Sequence, residues 1–178
     1  MVGRRIAVIG TTGSGKTTLA RRISERLGIP HIELDALHWE PNWGETPLGV
    51  FRDRVDRALR GDAWVIDGNY SKVRDIIWLR ADTIVWIDYA LLRILWQLIW
   101  RTVRRIVTRE KLWNGNREHW DALFSRQSLI VWALNTHPRH RHEYPALVTR
   151  PEYAHLKLVQ LRSPRETRVW LAGLEPDI

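Results

Sequence analysis

The stretch from residue 6 to residue 27 constrains the fold of this 178-residue chain more than any other. Residues 6–9 are apolar and largely β-branched, which predicts a buried parallel strand. Residues 17–27 carry apolar side chains at every fourth position, which predicts a helix. A strand that leads through a glycine-rich turn directly into a helix is typical of a parallel α/β sheet. The turn follows the pattern G-x-x-x-x-G-K-[ST] without a gap, with Gly10, Gly15, Lys16 and Thr17 at the defining positions.

This turn has the composition of a loop that binds nucleotide phosphates. Glycines let the backbone turn its N–H groups toward phosphate oxygens, and the N-terminus of the following helix adds positive partial charge. Lys16 is expected to reach the β- and γ-phosphates of ATP, and the Thr17 hydroxyl to ligate Mg²⁺. The predicted nucleotide-binding residues are Gly10, Thr11, Thr12, Gly13, Ser14, Gly15, Lys16, Thr17 and Thr18.

Other features of the sequence indicate which class of nucleotide-binding protein this is. A switch GTPase carries D-x-x-G and N-K-x-D motifs, and neither occurs in the sequence. A ring-forming or helicase ATPase usually needs further domains to convert hydrolysis into motion, and 178 residues leave little room for them. We therefore expect one domain, residues 1–178, that acts as an ATP-dependent small-molecule kinase.

Strands are expected to alternate with helices along the rest of the chain. The apolar stretch 83–100 suggests a membrane helix, which needs about 20 apolar residues. Asp88 and Arg93 lie inside it, and each costs about 2.5 to 3.5 kcal/mol near a bilayer centre, so we expect a strand followed by a helix and no membrane partner. The predicted strands are residues 6–9, 31–34, 63–67, 82–88 and 155–161. They are expected to form a parallel sheet that helices cover on both faces.

Three aspartates follow predicted strands, at the sheet edge where ligands gather in parallel α/β folds. Asp67 comes after the apolar run WVI and is predicted to hold Mg²⁺ opposite Thr17; the alternative is a turn residue before Gly68. Asp35 is predicted to orient or deprotonate the hydroxyl of a phosphate acceptor. Asp88 is expected to be structural.

The segment after Asp35 is expected to be a loop near the acceptor. It contains His38, Trp39 and Trp43, which are either an aromatic wall of the acceptor site or, in the plainer interpretation, two core tryptophans and a surface histidine.

The sequence GTTGSGKTT, followed by ELDALHWEPNW, WVIDGNY and an arginine-rich helix, resembles the adenylate-kinase-like P-loop kinases. Within them it is similar to a bacterial branch often labelled FlaR-like or DNA topology modulation protein. The resemblance implies a five-stranded parallel sheet of order 2-3-1-4-5, an acceptor-binding segment after the second strand, and a mobile lid that carries arginines. Asp67 and Gly68 match the D-G of adenylate kinases, but Asn69, Tyr70 and Ser71 differ from the residues that follow there, so the acceptor stays open.

The arginine-rich helix carries Arg93, Gln97, Arg101, Arg105 and Arg109 along one face, because they recur every four residues. Arginines that crowd within about two turns repel each other unless an anion is near. The pair Arg101 and Arg105 resembles the arginines that enter the lid of this kinase family and clamp the transferring phosphate. The expected lid covers residues 101–120, and the weaker clamp candidates are Arg109, Arg117 and Arg126.

Two further segments carry weaker signals. Residues 135–145 contain His137, His140 and His142 together with two prolines, and we expect an exposed loop there and no metal site. Residues 161–166 follow the last predicted strand and are expected to begin a helix at Pro164, near the adenine of ATP.

The amino-acid composition alone does not decide between nucleotides and nucleic acid as binding partners. The net charge is +8, and nearly all the basic residues are arginines, which suits nucleotides or nucleic acid but also follows from an arginine-rich genome. The absence of cysteine suits a cytoplasmic location. We expect a monomeric or homodimeric kinase that uses ATP and Mg²⁺ to phosphorylate a small acceptor, with a nucleotide or nucleoside as the candidate. The alternative is a nucleic-acid-associated P-loop ATPase.

Overall fold

The computed structural model describes residues 3–118, 120 and 128–175. Its strands are β1 Arg5–Gly10, β2 His31–Glu33, β3 Trp64–Asp67, β4 Thr83–Ile87 and β5 Lys157–Leu161. All neighbouring pairs are parallel, and the order in the sheet is β2-β3-β1-β4-β5. The predicted fold and strand order are therefore confirmed.

Helices connect the strands and cover both faces of the sheet. Helix α1 begins at Lys16 after Gly15, and ends at Gly28, a left-handed residue (φ 64°) of the kind that terminates many helices. The last helix begins at Pro164, as expected, where the Ser163 hydroxyl accepts a hydrogen bond from the Glu166 N–H. The helices are α1 Lys16–Leu27, α2 Leu34–His38, α3 Leu48–Ala58, α4 Arg74–Arg80, α5 Leu91–Val107, α6 Leu129–Val148 and α7 Pro164–Ala172.

The central strand β1 joins two hydrophobic cores, because side chains alternate between the faces of a strand. Ile6 and Val8 are fully buried in the core that includes Leu19 and Ile23 of α1. Burial of such side chains contributes about 1.5 to 3 kcal/mol each relative to exposure. The opposite face of β1 belongs to a core that contains Ala7, Ile9, Phe51, Val55, Ile77, Trp78 and Tyr144. These two cores fix the carboxyl ends of β1 and β3 relative to α1.

The expected loop at residues 135–145 is wrong, because α6 runs through it and includes Pro138 and Pro145. His137 is buried and its Nε2 lies 2.9 Å from the Tyr89 carbonyl oxygen. His140 stacks on the Tyr144 ring at 4.6 Å. Buried positions that recur every three or four residues hold this helix in place, and their packing outweighs the helix-breaking tendency of the prolines. Among the residues that the structure describes, no group of His, Cys, Asp or Glu is placed to hold a metal ion.

The segment after β2 is also more regular than the expected loop. It forms the short helix α2 and then a single 3₁₀ turn, Pro41–Trp43. The apolar stretch 83–100 is divided between β4 and α5, as predicted. Within residues 3–118, 120 and 128–175, no helix is long and apolar enough to cross a membrane.

Candidate active site

The loop between β1 and α1 adopts the glycine-dependent path that its sequence predicts. Gly10, Gly13 and Gly15 have φ values of 150°, 79° and 96°, a region that side chains other than glycine rarely adopt. A Cβ on Gly13 would lie 2.7 Å from the Leu98 Cβ, so α5 packs directly on the loop. The loop is therefore shaped by its own residues and supported by α5.

Lys16 points back across this loop. Its Nζ donates hydrogen bonds to the carbonyl oxygens of Gly10 (2.9 Å) and Thr11 (3.1 Å). Burial lowers the pKa of the Lys16 ammonium, and the charges of Asp67 and Asp35 oppose that shift. The Ser14 hydroxyl is buried and has no hydrogen-bond partner among the described residues. A loop with a spare hydroxyl and an ammonium held beneath it suits an anionic ligand.

Asn69 braces the loop from the end of β3. Its side-chain oxygen accepts a hydrogen bond from the Gly10 N–H at 3.2 Å, and its Nδ2 donates to the Gly10 carbonyl oxygen. The sequence analysis treated Asn69 only as a departure from adenylate kinases. The signal available was its position directly after Asp67 and Gly68, at the edge of the sheet that carries the loop.

Asp67 lies opposite Thr17, as predicted. Its Oδ2 accepts a hydrogen bond from the Thr17 hydroxyl at 2.6 Å. Its Oδ1 lies 2.8 Å from Nε2 of His31, a residue that the sequence analysis did not single out. His31 pairs with Val65 in the β2–β3 register, two residues before Asp67 and on the same face. Thr17 and Asp67 present the hard oxygen ligands that Mg²⁺ prefers.

Asp35 lies in the first turn of α2 and faces the same cleft. Its Oδ1 accepts a hydrogen bond from the Tyr70 hydroxyl at 2.5 Å. Burial raises the pKa of Tyr70, and the charge of Asp35 raises it further, so the phenol stays protonated and donates. The charge of Asp35 also acts on Lys16 and Arg101. The charge of the Asp35 carboxylate thus reaches the Lys16 ammonium, and the Tyr70 hydroxyl fixes the orientation of that carboxylate.

Arg101 and Arg105 both face inward from α5, but they differ in their partners. Arg105 Nη1 donates to Glu118 Oε1 at 2.8 Å, whereas the closest approach of Arg101 to the same oxygen is 4.0 Å. The Arg101 Nε is buried and lacks an acceptor among the described residues. Burial, and next the charge of Arg105, lower the pKa of Arg101. Arg101 therefore has donors left for a bound anion, and Arg105 is held by Glu118.

The two weaker clamp candidates that the structure describes are exposed to solvent. Arg109 is exposed and has a left-handed backbone (φ 51°), and Arg117 is exposed as well. Arg126 lies outside the described residues. Among the clamp candidates that the structure describes, Arg101 is the one whose charge acts on Lys16, and the charge of Asp35 acts on Arg101 in turn.

The expected lid is fastened to the segment that follows α2. Asn116 accepts a hydrogen bond from the Trp43 N–H at 3.0 Å and donates one to the Glu40 carbonyl oxygen at 2.9 Å. The Trp43 indole N–H donates to the Arg117 carbonyl oxygen at 3.1 Å. We call the contact between residues 40–43 and residues 113–117 the clasp. It joins the end of the lid to the acceptor side of the cleft.

A second set of hydrogen bonds extends the clasp toward the sheet. The Trp113 indole N–H donates to Glu33 Oε2 at 2.7 Å, and Asn114 Nδ2 donates to the Trp39 carbonyl oxygen at 2.5 Å. Asn114 and Gly115 form a turn, with φ values of 54° and 79°. The Glu33 carboxylate is thereby tied to the turn at Trp113–Gly115.

The sequence allows two interpretations of His38, Trp39 and Trp43: an aromatic wall of the acceptor site, or two core tryptophans and a surface histidine. His38 is buried and packs against Phe51 and Tyr70, with ring centroids 4.8 and 4.5 Å apart, so the surface interpretation of His38 is wrong. Burial lowers the pKa of His38, which keeps the ring neutral. Trp39 and Trp43 meet edge to face at 5.4 Å beside the clasp. These rings support the segment that carries Asp35.

Comparisons with known proteins give matches to parts of the sequence. A family model described as "Helicase HerA, central domain" matches residues 1–33, which include little more than β1, the loop and α1. A putative adenylate kinase of Pyrococcus furiosus is 37% identical over 73 residues, which cover 37% of this chain and 41% of that protein. The chain spans well under two thirds of the length of the curated relatives that it matches first.

Solved structures match over nearly the whole chain. A gluconokinase from Sinorhizobium meliloti 1021 has a TM-score of 0.54 and 21% identity, with 94% of this chain and 90% of that chain covered. A shikimate kinase from Acinetobacter baumannii, in complex with shikimate, has a TM-score of 0.55 and 14% identity, with 96% and 89% covered. The chain has the fold of small-molecule P-loop kinases. Its predicted resemblance to the adenylate-kinase-like kinases is confirmed at this level, whereas the FlaR-like label stays a prediction.

Proposed function

We propose that the protein is an ATP-dependent phosphotransferase that moves the γ-phosphoryl group of ATP to a hydroxyl of a small acceptor. The observation that carries this proposal is the position of Asp35 in the first turn of α2, where the Tyr70 hydroxyl holds its carboxylate at 2.5 Å and its charge acts on Lys16 and Arg101. A carboxylate oriented at this edge can position an acceptor oxygen in line with the γ-phosphorus, which phosphoryl transfer requires.

Each residue has a defined part in this proposal. The acceptor oxygen attacks the γ-phosphorus, the bond from that phosphorus to the β–γ bridging oxygen breaks, ADP leaves, and Asp35 takes the acceptor proton. Tyr70 keeps Asp35 oriented through its 2.5 Å hydrogen bond. Lys16 and Arg101 stabilise the negative charge on the transferring group. Arg105 does not contact the transferring group directly in this proposal, because Glu118 holds its guanidinium.

Thr17 and Asp67 would hold Mg²⁺, and their oxygen atoms fit that ion. The ion, when bound, would neutralise charge on the β- and γ-phosphates. His31 bonds to Asp67 Oδ1 and Thr17 to Oδ2, so both oxygens are oriented before any ligand arrives. The nucleotide itself is proposed to lie on Gly10 to Thr18, with residues 161–166 near the adenine.

The acceptor class is a small molecule, and the resemblance to adenylate kinases favours a nucleotide or nucleoside. The structural relatives named for gluconate and shikimate chemistry make a hydroxy acid a second candidate. The cytoplasmic location rests on the sequence argument alone. A nucleic-acid-associated ATPase is not favoured, because the match to the helicase model covers only the phosphate-binding unit and because Arg101 and Arg105 point into the cleft.

The test is release of ADP from Mg²⁺-ATP by the purified chain, with one additive at a time. The additives are nucleoside monophosphates, nucleosides, gluconate, shikimate and duplex DNA, and the control protein is Lys16→Ala. Stimulation by one small molecule, absent in the control, would support the proposal and name the acceptor class. Stimulation by DNA alone would contradict it and favour the nucleic-acid ATPase.

A further inference from the structure

Helix α5 is oriented with its more apolar side toward solvent. Its inward side carries the buried residues Ile94, Leu98 and Thr102 together with the partly buried Arg101 and Arg105. The outward side carries Leu92, Trp96, Trp100 and Val107, which are 82%, 66%, 65% and 70% exposed. A helix on a protein surface normally has the opposite arrangement. The two inward arginines explain it, because they must face the cleft to act on a triphosphate.

The outward residues form one continuous stripe, which we call the α5 stripe. They recur at intervals of three or four residues and so occupy about 100° of the helix surface. The stripe is about 22 Å long at 1.5 Å per residue. Trp96 and Trp100 stack with their ring planes 4° apart, 6.5 Å between centroids. The stripe consists of Leu92, Trp96, Ile99, Trp100, Val103 and Val107.

Exposed arginines border this stripe along one side. Arg93 and Arg104 follow Trp100 around the helix, and both are exposed. The helix has no aspartate or glutamate between residues 91 and 107. Neither Arg93 nor Arg104 forms an ion pair among the described residues, whereas the inward Arg105 is paired with Glu118. A contiguous apolar patch beside unpaired cations is the mark of a docking surface for a partner that is apolar and anionic at once.

We propose that the α5 stripe docks on the surface of a lipid bilayer that contains anionic phospholipid. The boundary between headgroups and acyl chains accepts apolar side chains to a depth of about 5 to 10 Å, and the phosphate headgroups attract the bordering arginines. Tryptophan is enriched at that boundary because its ring is apolar and its N–H is polar. This contact lies on the opposite side of α5 from the cleft, so docking leaves Arg101 free to face the nucleotide.

Other occupants fit the charges less well. A second copy that paired through the same stripe about a two-fold axis would bring its own Arg93 and Arg104 toward those of the first, in a chain of net charge +8. Nucleic acid would satisfy the arginines, but its phosphodiester backbone offers no apolar surface for Leu92 and Val107. The bilayer surface satisfies both features.

The experiment measures co-sedimentation of the full chain with phosphatidylcholine vesicles, with and without phosphatidylglycerol. Binding is expected only to the anionic vesicles and is expected to weaken with added salt. Trp96→Ser with Trp100→Ser is expected to lower the partition coefficient by at least about tenfold, because two large apolar groups are removed. Arg93→Gln with Arg104→Gln is expected to lower it about thirtyfold, since each arginine contributes about fivefold at an anionic surface.

The matched control is Leu79→Ser with Val169→Ser, two apolar side chains that are 55% and 68% exposed on α4 and α7. It is expected to bind vesicles like the unchanged protein, and all variants are expected to keep the same affinity for ATP. Equal binding to both kinds of vesicle, no binding to either, or an equal loss in the control would overturn the proposal. So would a dimer, detected by light scattering, that the double tryptophan variant converts to a monomer.

Discussion

The loop between β1 and α1 takes its shape from its own glycines, whereas the turn at Trp113–Gly115 depends on partners far away in the chain. The clasp hydrogen bonds join residues that are 73 to 80 positions apart. Gly10, Gly13 and Gly15 need no such partner to adopt positive φ. The comparison indicates that the backbone path of the β1–α1 loop is set by its own glycines, with Asn69 and α5 as supports, and that the proposed acceptor side is set by tertiary contacts. Changes on the two sides should therefore have different consequences for ATP and for the acceptor.

The largest effect is expected on the phosphate side. Lys16→Ala should lower ADP production by about 10² to 10³-fold, because it removes a preorganised charge from the transferring phosphate. The measurement is the rate of ADP release with saturating acceptor. Lys72→Ala is the control, because the side chain of that lysine is 57% exposed and forms its ion pair with Glu45 at 3.8 Å. A loss of less than tenfold in Lys16→Ala, or an equal loss in the control, would contradict the role given to Lys16.

The second largest effect is expected for Arg101, which lies between the phosphate side and the acceptor side of the cleft. Arg101→Ala is expected to lower kcat about a hundredfold, since its unpaired donors are the ones available to the transferring phosphate. Arg105→Ala should lower kcat less and reduce thermal stability more, because it leaves the buried carboxylate of Glu118 without its closest partner. Arg104→Ala, an exposed arginine of the same helix, is the control. If Arg105→Ala lost more kcat than Arg101→Ala, the assignment of the two arginines would be reversed.

The next effect is expected at His31, which lies behind the proposed Mg²⁺ ligand Asp67. His31→Ala should reduce the gain in ATP affinity that Mg²⁺ provides by about tenfold, because residues behind a metal ligand typically contribute 10 to 100-fold. The measurement is ATP affinity by calorimetry, with Mg²⁺ and with a chelator. Affinity without Mg²⁺ should stay unchanged, and His31→Gln should restore part of the gain, since an amide can donate to Asp67. His142→Ala, at an exposed position, is the control.

The smallest of these effects is expected at the clasp. Asn116→Ala removes two hydrogen bonds, each of which contributes about 0.5 to 1.5 kcal/mol. The KM for the acceptor is expected to rise about tenfold, with little change in the KM for ATP, because the clasp supports only the acceptor side. Asn135→Ala, at an exposed position on α6, is the control. An equal rise in both KM values would show that the two sides are not independent.

The same comparison explains how much the sequence could predict. The loop residues, the five strands and the positions of Asp35 and Asp67 follow from local patterns, because strand ends and glycine turns are local properties. His31, Asn69 and Tyr70 could not be found that way, because each acts through a neighbour brought close by the sheet. The prediction at residues 135–145 was wrong since it weighed two prolines against packing that only the folded chain provides.

The orientation of α5 is another feature that the sequence could not predict. The recurrence of arginine every four residues defined one face, but the sequence does not say whether that face meets the cleft or solvent. The structure turns Arg101 and Arg105 inward and leaves Trp96 and Trp100 exposed. A rule that buries the more apolar face would have given the wrong orientation, because it ignores the charge of a ligand.

The most direct test of the account uses Asp35→Asn, which removes the carboxylate and keeps the shape. Two quantities are measured on the same protein: the affinity for Mg²⁺-ATP by calorimetry, and the acceptor-dependent release of ADP. The account predicts unchanged ATP affinity and a loss of acceptor-dependent turnover of at least about a hundredfold, the contribution typical of a positioned acid or base. Retained turnover, or a parallel loss of ATP binding, would contradict the assignment of Asp35 to the acceptor.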